Sequence, residues 1–344
     1  MDATDAKPEP EWVSWSDDHL LDLRLCDLHL TIEHSPLVPR LEQLAEELAA
    51  RGLVFRPHVW ISDEWFTPDG IPGIAVPFYL VHPRLAKLEL QQMLEVEGGT
   101  HDWCMRILRH EVGHAIENAY RLRLRARRKQ LFGRSNVPYP RYYTPKPYSK
   151  RFVLHLDLWY AQSHPDEDFA ETFAVWLNPR SDWRAQYAGW PALKKLEYMD
   201  ALMCDLAGAQ PLVTRTDTVD PLPTLTKTLR EHYEARRAHY GLEHPHFYDQ
   251  DLKRLFTADT VSHNGMRAAA FIARIRKEAR RLVAEWTGAY QYTIDKVVES
   301  MITRCRELDL RVAGTPEEVK LDFLILLTVQ TMNYLHSGRH RVAL

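Results

Sequence analysis

Cysteine is scarce in this chain of 344 residues: there are four, Cys26, Cys104, Cys204 and Cys305, and none stands in a CxxC pair. Such spacing excludes a disulfide framework and a cysteine-based zinc knuckle, and it fits reduced thiols in a cytosolic protein. Long apolar runs are missing as well: no stretch approaches the roughly 18–20 residues that a helix needs to span a bilayer. The opening residues, MDATDAKPEPEW, are acidic and proline-bearing. They lack a basic segment followed by an apolar one and do not read as a secretory leader. Nor is there an excess of one charge, since 44 Lys+Arg against 47 Asp+Glu leave a formal net charge of −3. A polycation is thereby excluded, and any affinity for nucleic acid or a membrane would have to come from a local patch. Internal repeats and low-complexity blocks are absent too. The expectation is a soluble, cytoplasmic protein.

What is present is enough apolar material for a sizeable core, at 45% of the residues, in one large domain or two smaller ones. Residues 1–16 read as a flexible tail. From Leu37 to Leu53 apolar residues recur at helical spacing until Gly52. Val54–Ile61 and Ile74–Val81 read as two strands, and the SDEWFTPDGIPG stretch between them is a long turn. Pro83 opens a helix to about Met93. Thr100 can cap a long one that keeps its period through Ala119 and is carried on to Phe132 before Gly133. Prolines and tyrosines alternate from Pro138 to Tyr148 and preclude regular structure. Ser163 and Pro165 then mark a helix start, with an end at Leu177 before Pro179. The prolines of 213–224 read as a linker. Four helical patterns follow within 225–344: Leu225–Tyr240, Met266–Trp286, Tyr290–Leu308 and Glu317–Leu335. The predicted fold class is α+β: a mainly helical domain over 17–212 with a small β-sheet, then a C-terminal helical bundle.

One motif carries chemistry. His110-Glu111-Val112-Gly113-His114 lies inside the long helix. Residues i and i+4 share a helix face, so both imidazoles reach one ion, and zinc accepts imidazole nitrogen at about 2.0–2.1 Å. Glu111 points toward the same cavity without binding the metal, where it can take a proton from an activated water. A catalytic zinc commonly has three protein ligands and an open position. No third histidine follows closely, but Glu167-Asp168-Phe169-Ala170-Glu171 offers two carboxylates one turn apart. Glu167 is the candidate third ligand. Glu171 is placed to accept the Nδ1–H of a ligand histidine and fix its tautomer. An acidic first turn also complements the helix dipole, so this segment signals a site only in company with the histidine pair.

Between Glu117 and Asp157 there is no acidic residue. Arg121, Arg123, Arg125, Arg127, Arg128, Lys129 and Arg134 crowd the first half, and Tyr139, Tyr142, Tyr143 and Tyr148 follow. The stretch connects the two metal-binding helices. It reads as a basic, aromatic rim for an acidic peptide, as a nucleic-acid contact, or as a solvated basic helix end. Arg127, Arg128, Tyr142, Tyr143 and His164 are the candidate substrate contacts.

The segments SDEWFTPDGIPGIAVPFYLVHPRL, CMRILRHEVGHAIENAY and LWYAQSHPDEDFAETFAVWL, with GWPALKKLEYMD after them, resemble a bacterial family of zinc-binding metallopeptidases of the gluzincin type. The order of motifs is also similar to that of the anthrax lethal factor catalytic domain, where an HExGH helix precedes an ExFAE helix. The resemblance implies one zinc ion on His110, His114 and Glu167, Glu111 as general base, and Glu171 behind a ligand histidine. It also implies Tyr160, seven residues before Glu167, as the donor to the oxyanion; His164 is the alternative donor. Some relatives carry a cysteine-rich ribbon near the N-terminus, where this chain has only Cys26.

The expected activity is therefore zinc-dependent hydrolysis of peptide bonds. A zinc amidohydrolase acting on a non-protein amide would use the same residues, and a non-catalytic adaptor held by zinc is a third reading. A base at Glu111 has no use in an adaptor, and a structural zinc usually has four protein ligands. The expected partner is a peptide or protein substrate, acidic if the rim takes part, rather than a nucleic acid or a membrane.

Overall fold

The structure, a computed structural model, describes residues 9–140, 142–240, 248–258, 265–336 and 342–343. The chain forms two compact units. The first comprises Met1–Gln92, Val96–Pro140 and Lys146–Ala235; the second comprises Met93–Glu95, Arg141–Pro145 and Arg236–Leu344. The fold class is α+β and mainly helical, with a small sheet in the first unit and a helical C-terminal region. Among the described residues no helix is long and apolar enough to cross a membrane.

The first unit opens on a 3₁₀ turn at Glu11–Ser14, within the segment read as a tail; Trp12 is buried there and its indole donates to the Leu28 carbonyl at 3.3 Å. Residues 1–8 lie outside the described residues. Helix α1 spans Asp17–Leu21 and α2 spans Val38–Ala50. Strands β1, His58–Ser62, and β2, Gly73–Pro77, pair in parallel with His58 opposite Gly73 and Ser62 opposite Pro77. Every residue of β2 is buried, as expected of a strand covered on both faces. The second strand ends sooner than its β-branched run suggests, because Phe78–Leu80 coil into a 3₁₀ turn after Pro77. The stretch read as a linker lies along this sheet. The Trp60 indole donates to the Val219 carbonyl at 2.9 Å, and Ser62 Oγ to that of Asp220 at 2.7 Å.

Helix α3, Pro83–Met93, leads to α4, His101–Ala119. The long helix does not run on to Phe132. Arg121 adopts a left-handed backbone, φ 52°, and the chain turns through Leu122–Leu124 before α5, Ala126–Phe132, begins. A residue in that conformation ends an α-helix whatever its side-chain period. Further on in this unit come helix α6, Pro165–Leu177, α7, Trp183–Gln186, and α8, Leu193–Leu206, while the two-residue strand β3, Tyr142–Tyr143, belongs to the second unit. Helices α4 and α6 pack against each other, with α2 on α4 and α8 on α6. The core of this unit contains Leu108, Val112, Ile116, Phe169, Phe173 and Met199, all fully buried or nearly so.

Helix α9, Leu229–Tyr240, carries the chain into the second unit. There α10, Asp249–Leu255, runs into β4, Phe256–Thr257. Helices α11, Ala268–Thr287, and α12, Gln291–Glu307, pack side by side; β5, Arg311–Val312, pairs antiparallel with β4; and α13, Pro316–His336, lies on α11. Phe271, Ile272 and Ala279 from α11 and Ile294, Val298 and Met301 from α12 are buried at helical spacing, which is why these patterns were legible. Strand β6, Val342–Ala343, pairs with β3.

Candidate metal centre

Helix α4 starts where Thr100 Oγ1 accepts the Trp103 N–H at 3.3 Å. From Cys104 onward only Arg106 escapes the buried class, so this is an interior helix with polar residues set into it. Its i, i+4 spacing brings His110 and His114 together with their Nε2 atoms 3.1 Å apart. Gly113 lets α6 approach: a Cβ there would stand 2.9 Å from the Ala170 Cα and 3.1 Å from its carbonyl oxygen.

Helix α6 begins one residue later than the sequence signals suggest. His164, not Ser163, is the cap: its Nδ1 accepts the Asp166 N–H at 3.1 Å, and its Nε2–H donates to the Val137 carbonyl at 2.8 Å. Pro165 follows in the first position, where a missing N–H costs nothing. Glu167, on the first turn, reaches α4. Its Oε2 lies 3.0 Å from His110 Nε2 and 3.2 Å from His114 Nε2. Glu171, one turn on, puts Oε1 at 2.9 Å from His110 Nδ1, while its Oε2 accepts the Leu156 N–H at 2.9 Å. With Nδ1 donating to that carboxylate, the Nε2 lone pair of His110 faces the centre.

Three potential ligand atoms thus form a triangle with sides of 3.0–3.2 Å. Atoms bound tetrahedrally at zinc distances stand about 3.3 Å apart, so the triangle fits one small ion with little adjustment. Among the described residues no fourth His, Cys, Asp or Glu joins the group. Burial works against charge on all three residues. Even so, hydrogen bonds and charge from Glu167 and Glu171 hold His110 well above the usual imidazole range, and the two imidazoles hold Glu167 well below the usual carboxylate range.

Around it stand Glu111, Tyr160 and two residues that the sequence did not single out for the centre. Glu111 is buried, and its Oε2 accepts from Thr67 Oγ1 at 2.9 Å. The Tyr160 ring lies 5.6 Å from that of His110, centroid to centroid. The chain reaches Tyr160 through Leu158 and Trp159, both left-handed at φ 57° and 55°, in a 3₁₀ segment over Asp157–Gln162. Such backbone costs about 1–3 kcal/mol per residue and tends to persist where the surroundings hold it for a purpose. Tyr139 supplies a second phenol, whose O–H donates to Glu167 Oε1 at 2.7 Å. Desolvation of its hydroxyl end, then the Glu167 charge, push this phenol up, so it remains a donor although the residue as a whole is partly exposed. Tyr139 sits 28 residues before Glu167 and Thr67 44 before Glu111, with no motif to mark either.

The basic insert divides. Arg128 is completely buried: its Nε binds Glu117 Oε1 at 2.7 Å and its Nη2 binds Asp166 Oδ1 at 2.5 Å. Arg123 joins the same two acids at 3.1 and 3.3 Å. These guanidinium groups tie the end of α4 to the start of α6. Arg128 therefore offers no surface to a substrate, a correction that its place in a basic run concealed. His164 is likewise taken up in capping, whereas Arg127 is exposed. Tyr143 is buried in β3, and the Tyr142 side chain lies outside the described residues.

A family model described as "Putative zinc-binding metallo-peptidase" matches residues 105–191, which hold every member of the cluster. No curated protein and no solved structure matches the chain.

Proposed function

We propose that the chain is a zinc-dependent metallopeptidase of the gluzincin type, with His110, His114 and Glu167 as ligands of one zinc ion. The family match and the cluster support a zinc metallopeptidase in general. The observation that carries the finer reading is the triangle of three buried ligand atoms, braced behind His110 by Glu171, without a fourth protein ligand among the described residues.

When bound, zinc acidifies a water and polarises a carbonyl at neutral pH. Glu111 takes the proton from the attacking water and passes it to the leaving amine; Thr67 holds one of its oxygens and so fixes its aim. Tyr160 stands on the His110 side and donates to the oxyanion, a contribution typically worth about 10²–10³ in rate. Glu171 keeps His110 in the tautomer that a metal requires. The substrate is a peptide or protein, and Arg125, Arg127, Lys129 and Arg134, all exposed, favour acidic ones. Four free thiols suit a reducing, cytoplasmic setting.

Zinc content and turnover of Glu111→Gln test this reading. The variant should keep its metal and lose hydrolysis by about 10²–10⁴-fold. Activity equal to the parent would remove Glu111 as the base. A peptide-library digest read by mass spectrometry separates peptide from non-protein amide substrates, and a zinc-loaded parent that cleaves neither is the adaptor.

A further inference from the structure

Glu167 uses its two oxygens differently. Oε2 faces the imidazoles, at 3.0 and 3.2 Å, while Oε1 accepts the Tyr139 hydroxyl at 2.7 Å. A carboxylate with both oxygens free can close on a cation through both; one whose second oxygen is already hydrogen-bonded presents a single donor. Three single-atom ligands leave a tetrahedral ion one open position, and a fourth protein oxygen would fill it.

Core packing does not account for Tyr139, which is 49% exposed. It is nevertheless held in place. Its ring stacks on that of His164, with centroids 3.8 Å apart and planes 16° from parallel. The same His164 caps α6 and binds the Val137 carbonyl. The strand of chain that carries the phenol is thus clipped to the first turn of the helix that carries Glu167. Hydroxyl and carboxylate share one rigid support, so the contact between them needs little further ordering.

We infer that Tyr139 is a positioning residue of the metal centre: by holding Glu167 Oε1 it limits this ligand to one oxygen and keeps a coordination position open for water and substrate. The inference rests on the metal centre proposed above, but not on peptidase activity.

Tyr139→Phe removes the hydroxyl and keeps the stacked ring. The measurements are zinc affinity by competition with a chromophoric chelator and the visible spectrum of the cobalt-substituted protein. Loss of such a supporting hydrogen bond typically changes metal affinity by about 10–100-fold. We expect a change of about tenfold, with weaker cobalt bands as Glu167 closes through both oxygens and the coordination number rises. His164→Asn retains a capping side chain but loses the stack. It should shift both readouts the same way and less, and the double variant should add little to Tyr139→Phe. Unchanged zinc affinity and an unchanged cobalt spectrum in Tyr139→Phe would overturn the inference. So would a fall in kcat alone, which would place the phenol on the reacting atoms instead. A parent that binds cobalt yet cleaves no peptide sinks the peptidase reading and leaves both Tyr139 readouts decisive; a parent that binds neither ion sinks both.

Discussion

Helices α6 and α11 bury charge in opposite ways. In α11, Phe271, Ile272, Ile275, Ala279 and Val283 face inward, and Arg276 and Arg280 meet Asp295 of α12 where the pair is still partly solvated. In α6 everything from Asp166 to Leu177 is buried, four carboxylates among them. Each of those acids has a charged partner: Asp166 has Arg128, Glu167 the two imidazoles, Asp168 has Lys195 at 2.5 Å, and Glu171 has His110 and the Leu156 N–H. Burial still pushes Asp168 up to about 7 against the pull of Lys195. A helix built only for stability would not carry this load, since well-packed apolar residues serve as well or better than buried ion pairs. The arrangement sets α6 apart as a helix whose buried charges packing alone does not require.

The comparison breaks most readily at Arg128. Arg128→Met takes the nearer cation from Glu117 and Asp166 and leaves both buried acids to Arg123 alone; losing one partner of a buried pair costs about 3–5 kcal/mol. Urea unfolding of the metal-free protein should show that loss. Next is Gly113→Ala. Helix propensity favours alanine by about 1 kcal/mol, but the new methyl meets the Ala170 backbone, and overpacking costs about 1–3 kcal/mol. A net loss of about 1 kcal/mol and weaker zinc binding are expected, because α4 and α6 must separate; an unchanged zinc affinity would mean that their spacing does not set the ligand triangle.

In the second unit the effects shrink. Burial alone would raise the Asp295 carboxyl, but hydrogen bonds and charge from Arg276 and Arg280 outweigh it and hold it below the usual range. A depressed carboxyl contributes stability above its unfolded pKa of about 3.9 and loses it as the pH falls through its folded value. The stability gap between parent and Asp295→Asn should therefore hold at pH 5–7 and close below about pH 4, as read from urea midpoints. Smallest is Lys320→Ala, which removes a half-exposed pair with Glu278 at 2.7 Å; about 0–1 kcal/mol is expected. If Lys320→Ala and Arg128→Met cost the same, the two regions do not differ as argued.

Helix period carried the sequence reading a long way. It placed α4, α6, α11, α12 and α13, and it put His110, His114, Glu167 and Glu171 on the faces that meet. Period could not show the break at Arg121, because a left-handed residue leaves the apolar spacing on either side intact. It could not separate Arg128 from Arg127 either: both sit in one basic run, and only the acids of α4 and α6, brought together in space, draw the first inside and leave the second in water. Tyr139 and Thr67 escaped for the same reason, being single residues on connecting segments.

By itself, then, the sequence determined the ion's candidate ligands, since i, i+4 geometry is local and two carboxylates one turn apart must share a face. Tertiary structure alone decided which oxygen of Glu167 faces the imidazoles, which phenol holds the other, and which cations of the insert are sealed inside. Those outcomes depend on contacts between segments distant along the chain, where only three-dimensional packing sets who meets whom.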